Sequence, residues 1–370
     1  MITRQIQENI EKHLFKGKAI ILYGARQTGK TTLVSMIKEK HKNSLYLNCD
    51  EIDIREKLTK KTSTELATLI GNKKLVVIDE AQRVVDIGLT IKILVDTMKD
   101  TQIIATGSSS FELSDKIKEP LTGRVYEFHL YPFSFNELNS LYQKHELERI
   151  VEQRMVYGMY PEVVLSQEKE ILLQLADSYL YKDILAYQNI KSHDILIKLL
   201  QAISLQIGNE VSYNELSSTV GIDKKTVENY INILEKAFIV FRLNPFSRNL
   251  RNELKKLRKI YFYDLGIRNA LINNFNPLGI RQDTGALFEN FVIAERIKRN
   301  SNLRLRKNFY FWRTHQQKEI DYIEEEAGIL KGYEIKFSKT KFKAPQEFLK
   351  AYKDSSVELV NKSNCLEFIT

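Results

Sequence analysis

The residues of this sequence that are best suited to chemistry form a loop of the pattern Gly-x-x-x-x-Gly-Lys-Thr, from Gly24 to Thr31. Its glycines let the backbone turn tightly, so that successive N–H groups point into one concavity, and a following helix adds partial positive charge there. Such a loop binds the phosphates of a nucleotide, with Lys30 on the β- and γ-phosphates and the Thr31 hydroxyl on Mg²⁺. The predicted contact residues are Gly24, Ala25, Arg26, Gln27, Thr28, Gly29, Lys30, Thr31 and Thr32.

A second pattern supplies two adjacent carboxylates at the end of an apolar run. Residues 75–78 are continuously apolar, as in a central parallel strand, and they are followed by Asp79 and Glu80. Asp79 is suited to hold Mg²⁺, directly or through water, and Glu80 to accept a proton from the water that attacks the γ-phosphate. The sequence therefore predicts ATP hydrolysis, with ATP and Mg²⁺ as the cofactors.

Apolar runs also predict the elements that position these residues. Residues 19–23 precede the loop and indicate a buried strand, and a helical pattern follows from Lys30 to about His41. Residues 44–49 predict a further strand between the two motifs, and residues 102–105 predict a fourth. One additional strand between the motifs, with a glutamate after the aspartate, resembles the additional-strand P-loop ATPases, which include the AAA+ and STAND groups. That order argues against small-molecule kinases and GTPases.

Several further motifs in a fixed order carry a family resemblance. They are GARQTGKTTL (24–33), VVIDEAQR (76–83), ATGSSSFEL (105–113), LTGRV (121–125), LYPFSFNEL (130–138), GMYPEVV (158–164), YLYKDIL (179–185) and FYDLGIRN (262–269). Together they resemble the AAA-type ATPases of a large prokaryotic group that shares a C-terminal region. The resemblance covers nearly the whole chain, and it implies the fold more than it implies a biochemical role.

This resemblance gives candidate roles to three polar residues. AAA+ proteins place a sensor of the γ-phosphate at the end of the fourth strand, where this sequence has Thr106 and Ser108. The alternative is that the serines cap a helix that begins near Phe111. Arg124 is either an arginine finger, in cis or across a homo-oligomer interface, or a loop arginine that holds Glu127.

Residues 195–243 follow a helix–turn–helix–strand order that resembles a winged helix. Its second helix would present residues suited to phosphates and base edges near its amino end, namely Lys224, Lys225, Thr226 and Asn229. The strand and loop beyond it concentrate positive charge against a single acid, Glu253, through Arg242, Arg248, Arg251, Lys255, Lys256, Arg258 and Lys259. DNA is therefore a predicted partner. The alternative is a winged helix that serves protein contacts, with a solvated basic loop.

The C-terminal residues predict a helix that carries Glu289, followed by three strands. Pairing of the last two strands can bring Asp321, Glu334 and Lys336 together. Two carboxylates can hold Mg²⁺, and a lysine can lower the pKa of an attacking water. This order resembles the PD-(D/E)XK nucleases, which would make Glu289 an accessory ligand beside the metal ligands Asp321 and Glu334, and Gln316–Gln317 a substrate-facing turn. The alternative is an ion-pair cluster on an exposed sheet face.

Length, charge and cysteine content limit the possible number of domains, partners and cellular compartment. A chain of 370 residues predicts two or three domains, and its net charge of +9 permits a nucleic-acid partner without requiring one. Cys49 and Cys365 can build neither a disulfide framework nor a cysteine metal site, which favours a reducing cytoplasm. The first residues carry no signal-peptide core, and no apolar run approaches membrane-spanning length, so no membrane association is expected.

We therefore predict an α/β protein with four parts. They are an additional-strand P-loop NTPase domain (1–136), a helical lid (137–192), a winged-helix domain with a basic loop (193–281), and a C-terminal α/β restriction-endonuclease-like domain of the PD-(D/E)XK type (282–370). The first function hypothesis is an Mg²⁺-dependent ATPase that acts with or on DNA. The alternative is an ATP-dependent switch that binds DNA or a partner protein, with a catalytically silent nuclease-like fold.

Overall fold

A computed structural model describes residues 2–107, 121–139, 141–143, 145–166, 168–179, 193–246, 258–314 and 316–370. Ser108 and the predicted DNA-binding residues Arg248, Arg251, Lys255 and Lys256 lie outside the described residues. The chain divides into two units. The first comprises Met1–Pro132 and Lys236–Phe238, and the second comprises Phe133–Glu235 and Ile239–Thr370.

The first unit contains a five-stranded parallel sheet in the order β2-β3-β4-β1-β5. Its strands are β1 (Ala19–Tyr23), β2 (Ser44–Asn48), β3 (Leu75–Asp79), β4 (Gln102–Gly107) and β5 (Val125–His129). In sequence β2 lies between the two motifs, but in the sheet β4 separates β1 from β3 and β2 forms an edge. The predicted α/β class is confirmed for this unit, and the additional strand in space is β4.

Helices connect these strands and cover the sheet. They are α1 (Ile6–Glu11), α2 (Lys30–Glu39), α3 (Ile52–Leu58), α4 (Ser63–Ile70) and α5 (Ile87–Thr97). Every residue of β1 and β3 is buried, as expected for central parallel strands. One apolar cluster joins Ile6 of α1 and Val34 of α2 to Leu22 of β1 and Val77 of β3, and this packing fixes the loop between β1 and α2.

The second unit begins with helices and continues into a helix-and-strand segment. The helices are α6 (Phe135–Asn139), α7 (Leu147–Tyr157), α8 (Pro161–Ser166) and α9 (Lys169–Tyr179). The segment that follows contains α10 (His193–Leu205), β6 (Glu210–Val211), α11 (Tyr213–Val220), α12 (Lys224–Lys236), β7 (Val240–Pro245) and β8 (Arg258–Phe262). β8 pairs antiparallel with both β6 and β7. The helices of the predicted lid belong to this unit, and their lid role stays a prediction.

The remaining elements extend the same sheet. They are α13 (Leu265–Leu271), α14 (Thr284–Asn302), β9 (Asn308–Arg313), β10 (Glu319–Glu326), β11 (Ile329–Ile335), α15 (Gln346–Ala351), β12 (Ser356–Val360) and α16 (Cys365–Ile369). β7 pairs in parallel with β9, which gives a seven-stranded order of β12-β11-β10-β9-β7-β8-β6. The sheet thus continues across the domain border that the sequence placed at residue 281. None of the described helices is long and apolar enough to span a membrane.

Candidate functional site

The phosphate loop requires glycine at both ends for two different reasons. A Cβ atom at Gly24 would overlap the backbone carbonyl oxygen of Leu130, so the close approach of the segment after β5 excludes any side chain there. Gly29 has a φ of 91°, in the left-handed region that glycine adopts without strain. The turn is thus set by a steric limit at one end and by backbone conformation at the other.

The side chain of Lys30 lies inside the loop that precedes it. Its Nζ donates hydrogen bonds to the carbonyl oxygens of Gly24 at 2.9 Å and Ala25 at 2.8 Å. The Thr28 hydroxyl also donates to the Ala25 carbonyl oxygen at 2.8 Å, which tightens the turn. These three hydrogen bonds lie within the loop, so the positive charge of Lys30 is held where phosphates are predicted to bind.

The end of β3 lies beside the start of α2. Asp79 is 3% exposed, and its Oδ2 accepts hydrogen bonds from the hydroxyl of Thr31 at 2.9 Å and from the hydroxyl of Tyr46. Burial together with the hydrogen bond to Asp79 raises the pKa of the Tyr46 hydroxyl, so that Tyr46 stays a donor. Thr31 and Asp79 offer a hydroxyl and a carboxylate oxygen, the hard donors that Mg²⁺ prefers, and these residues therefore fit the predicted ion.

Thr106 links the Asp79 carboxylate to the backbone of Glu80 at this edge of the sheet. Its hydroxyl donates to Oδ1 of Asp79 and accepts the backbone N–H of Glu80 at 3.1 Å. Glu80 has a φ of 52°, and its Oε2 accepts a hydrogen bond from the side-chain amide of Gln82 at 2.5 Å. Thr106 therefore contacts both acidic residues from the end of β4, which is where the sequence placed a γ-phosphate sensor.

Arg124 lies at the opposite end of the sheet from the phosphate loop. Its carbonyl accepts the backbone N–H of Ala19, the first residue of β1, whereas the loop follows the last residue of β1. Its Nε donates to Asp96 at 2.8 Å, so its ion pair is with Asp96 and not with Glu127. Five residues of strand span about 16 Å, and the geometry therefore gives no support to a role of Arg124 in cis. A role across a homo-oligomer interface stays a prediction.

The predicted DNA-binding residues have different environments. Lys224, Lys225 and Asn229 are exposed on α12. The Thr226 hydroxyl donates to Asp223, which also accepts the Thr226 N–H at 3.0 Å, so Thr226 helps to close the start of the helix. Arg258 is half-buried, with its guanidinium 5.5 Å from the ring centre of Tyr213.

Two residues of the predicted basic concentration are not free surface charges. Arg242 donates to Asn232 at 2.7 Å and forms an ion pair with Glu235. Lys259 is 2% exposed and lies among carboxylates. The prediction that these two contribute to a basic surface is wrong, because β7 and β8 turn them toward acidic partners in the fold.

The C-terminal candidate residues lie together in the second unit. The hairpin between β10 and β11 turns at Ala327 and Gly328, both with positive φ, and it places Tyr322 opposite Tyr333. This register brings Asp321 and Glu334 to neighbouring positions on the two strands. Nζ of Lys336 is 2.8 Å from Asp321 and 3.0 Å from Glu334. Gln316 and Gln317 are exposed between β9 and β10.

Glu289 on α14 joins this cluster through residues of β8. Its Oε1 accepts hydrogen bonds from Tyr261 at 2.5 Å and from Nζ of Lys259 at 3.1 Å. Nζ of Lys259 also lies 3.7 Å from Asp321 and forms an ion pair with Glu319. Burial is the main cause that raises the pKa of Glu289, to about 7, and the charge of Asp321 raises it further.

The cluster does not fit a divalent metal ion. Across the described ranges, no three carboxylate, histidine or cysteine groups are arranged to hold one. The acidic side chains converge instead on two ammonium groups, those of Lys259 and Lys336. The predicted metal ligands Glu289, Asp321 and Glu334 are therefore neighbours that share lysines.

Family models match three consecutive parts of the chain. Residues 16–139 match the model described as an AAA domain. Most of the first unit therefore lies in a segment that is similar to AAA-type ATPase domains. Two other models, each described as a domain of unknown function, match residues 148–278 and 284–366.

Two relatives match most of the chain, and one solved structure is similar to it in fold. An uncharacterized protein of Methanocaldococcus jannaschii is 27% identical over 394 residues, covering 97% of this chain and 84% of its own. An uncharacterized protein of Mycobacterium tuberculosis is 25% identical over 345 residues, covering 91% and 74%. The Walker-type ATPase of Pyrococcus abyssi is similar in structure, with a TM-score of 0.51, 16% identity, and coverage of 74% of this chain and 96% of that one.

Sequence reasoning missed two residues of the ATPase domain. Arg4 is 6% exposed, and its guanidinium donates to the carbonyl oxygens of Thr28 and Tyr131, each at 2.6 Å. No motif marks this arginine, because its partners are backbone atoms distant in the chain. Tyr46 precedes the end of β2 by two residues, and the parallel pairing of β2 with β3 was the signal that could have placed it near Asp79.

Proposed function

We propose that this protein is an Mg²⁺-dependent ATP hydrolase that works with DNA. The observation that carries the proposal is the hydrogen-bonded network at one edge of the ATPase sheet. In it the hydroxyl of Thr31, the carboxylate of Asp79, the hydroxyl of Thr106 and the N–H of Glu80 are linked in series. This network brings the phosphate loop, the predicted Mg²⁺ ligands and the predicted general base to one place.

The residues of this network suit the separate tasks of phosphoryl transfer to water. The loop N–H groups and Lys30 would bind the phosphates, and Thr31 and Asp79 would hold Mg²⁺, which would supply positive charge to the phosphate oxygens. Glu80 accepts a proton from the attacking water, and the side-chain amide of Gln82 fixes the orientation of its carboxylate. Thr106 fixes the Asp79 carboxylate and the backbone of Glu80 relative to each other, because its hydroxyl donates to the first and accepts the N–H of the second.

The DNA-binding part of the proposal rests on the segment from α10 to β8. Its order of helix, strand, helix, helix, strand and strand, with β8 paired to β6 and β7, supports a winged helix. In that fold the helix α12 enters the major groove of duplex DNA. Lys224, Lys225 and Asn229 are exposed in its first turns and are suited to phosphates and base edges.

The C-terminal part is proposed to be nuclease-like in fold. What supports this is the helix α14 followed by the strands β9, β10 and β11, with Glu289, Asp321, Glu334 and Lys336 in one cluster. A second candidate function is a DNA-bound ATPase switch whose nuclease-like fold does not cut. The burial of Lys259 between Glu289 and Asp321 favours this second candidate, since an ammonium group there neutralises the carboxylates.

Coupling between ATP and DNA tests the proposal directly. ATP turnover by the full chain is measured with Mg²⁺, with and without duplex DNA, beside the Lys30→Ala variant and a Lys224→Ala/Lys225→Ala variant. We expect turnover in the wild type that Lys30→Ala abolishes, and duplex binding that the double variant weakens while it keeps basal turnover. Turnover that survives Lys30→Ala, or a wild type that binds no duplex at low salt, would contradict the proposal.

A further inference from the structure

Lys259 is a buried lysine at the centre of the C-terminal carboxylate cluster. Its side chain is 2% exposed, and Nζ lies 3.1 Å from Glu289 and 3.7 Å from Asp321, and forms an ion pair with Glu319. A single ammonium group therefore contacts three carboxylates from two different elements, α14 and β10. This is the position that a cation shared by the three acids has to take.

The backbone holds Lys259 in this position. It lies on β8, paired with Leu243 of β7 on one side and with Glu210 of β6 on the other. The centre of the Phe311 ring of β9 lies 5.7 Å from Nζ. Because β8 is an interior strand at this residue, its side chain cannot leave the cluster through a small loop movement.

The position of the Lys259 ammonium opposes a metal ion at the same carboxylates. Mg²⁺ requires several oxygens at about 2.0–2.1 Å in near-octahedral geometry. A divalent ion in contact with Glu289 and Asp321 would also lie beside the Lys259 ammonium, where repulsion between like charges opposes its binding. Removal of the ammonium would leave the buried carboxylates without their counter-ion, which is a strongly unfavourable arrangement.

Lys336 has a separate task in the same cluster. Its Nζ bridges Asp321 at 2.8 Å and Glu334 at 3.0 Å, on the side of Asp321 that Lys259 does not contact. The backbone N–H of Ile335 also donates to Oδ2 of Asp321, at 2.8 Å. Both oxygens of Asp321 are thus engaged by groups of the protein itself.

We infer that the ammonium of Lys259 is the built-in cation of this cluster and takes the place of a divalent metal ion. The C-terminal domain then binds no catalytic metal and does not cut DNA. The reaction that the protein catalyses is then the proposed hydrolysis of ATP. This inference rests on the nuclease-like fold that is part of the proposed function. It does not depend on the ATPase site.

Manganese binding to the nucleotide-free full chain tests the inference. Bound Mn²⁺ is measured by electron paramagnetic resonance for the wild type, Asp321→Asn, Lys259→Met, Lys259→Arg and Lys259→Met/Asp321→Asn. Lys331→Met is the control, since Lys331 is an exposed lysine on the neighbouring strand β11. We expect a Mn²⁺ site in Lys259→Met that is absent from the wild type, from Lys259→Arg and from Lys331→Met, and that Asp321→Asn removes.

Thermal unfolding supplies a second readout. Lys259→Met should melt at a lower temperature than the wild type, and its melting temperature should rise when Mn²⁺ is added. The melting temperature of the wild type should not rise with Mn²⁺. If Lys259→Met folds too poorly for binding measurements, Lys259→Met/Glu319→Gln removes one buried charge along with the lysine and is expected to show the same gain.

Two outcomes would overturn the inference. One is a wild-type Mn²⁺ site, or Mn²⁺-dependent cleavage of DNA by the wild type, that Asp321→Asn abolishes. The other is a folded Lys259→Met protein that gains no Mn²⁺ site. Failure of the proposed ATPase function is distinguishable, because it would appear as absent ATP turnover in the wild type whatever the cluster binds.

Discussion

The hydroxyl of Thr31 donates a hydrogen bond to the carboxylate of Asp79 over 2.9 Å, although 48 residues separate the two in the sequence. Thr31 is the second residue of α2 and the last of the phosphate loop, and Asp79 ends β3, so this bond joins the two halves of the candidate ATP site. β4 lies between β1 and β3 and supplies Thr106 to the same carboxylate. The order of strands in the sheet is therefore what assembles the site.

Arg4 is predicted to hold the phosphate loop in its binding conformation. Arg4→Gln removes the charged donor to the carbonyl of Thr28, and we expect about tenfold weaker ATP binding, since hydrogen bonds to charged groups contribute about 1.5–3 kcal/mol. Arg4→Lys should recover part of the loss. Titration with a fluorescent ATP analogue measures the ATP affinity of each variant. The control is Lys12→Gln, because Lys12 is an exposed residue just beyond α1. Unchanged affinity in Arg4→Gln would disprove this role.

Gly24 is predicted to tolerate no side chain. In Gly24→Ala the new methyl group overlaps the carbonyl oxygen of Leu130, so the loop or the segment after β5 must shift. We expect ATP binding to fall by at least about tenfold, because the loop N–H groups no longer converge. Gly285→Ala is the matched control, since a Cβ atom there meets nothing within 4 Å. Equal ATP affinities of the two variants would show that the close approach of Leu130 to Gly24 does not affect ATP binding.

Lys224 and Lys225 are predicted to contact DNA phosphates from the start of α12. Replacing both with alanine should weaken binding to every duplex sequence and lower the slope of log K against log salt concentration by about two. Fluorescence anisotropy over a salt series measures both effects. Lys331→Ala/Lys353→Ala removes two exposed lysines elsewhere in the second unit as a charge-matched control. If both double variants lose the same affinity, net charge and not α12 determines binding.

Glu324 is predicted to make the second unit sensitive to acid. Burial alone would raise the pKa of Glu324, but hydrogen bonds from Arg296, Asn300 and Lys307 lower it to about 2, from an ordinary value of 4.5. A lowered carboxylate pKa contributes stability above 4.5 that is lost as the pH falls toward 2, here about 3 kcal/mol. The free energy of unfolding in urea, measured across this window, should converge for wild type and Glu324→Gln as the pH falls.

The control for this prediction lies on the same strand. Glu326 is exposed at the end of β10, and Glu326→Gln should change the free energy of unfolding by less than about 0.5 kcal/mol at any pH in the window. A gap between wild type and Glu324→Gln that stays constant with pH would mean that the charge of Glu324 does not set the acid sensitivity.

The grouping of residues at the candidate ATP site was predictable because its motifs are local. The loop from Gly24 to Thr31 and the pair Asp79-Glu80 each occupy one strand end, and parallel strands bring such ends together. The alternation of β10 and β11 likewise indicated the meeting of Asp321 with Lys336. The fold class of the first unit followed from the same apolar runs.

What the sequence could not supply were contacts between distant segments. Lys259 looks like one more basic residue in a basic stretch, and only the pairing of β8 within the sheet turns it toward Glu289. The parallel pairing of β7 with β9 has no local signal either, because it joins strands that are separated by more than sixty positions. Arg4 was missed since its partners are carbonyl groups, which every residue carries.

The most direct test of the account is ATP turnover by Glu80→Gln beside its ATP affinity. Glutamine keeps the shape of the side chain but cannot accept the proton of the attacking water. We predict that turnover falls by roughly 100-fold or more while ATP affinity stays within about threefold of the wild type. Turnover at the wild-type rate in Glu80→Gln would contradict the assignment of Glu80 as the general base and, with it, the proposed mechanism.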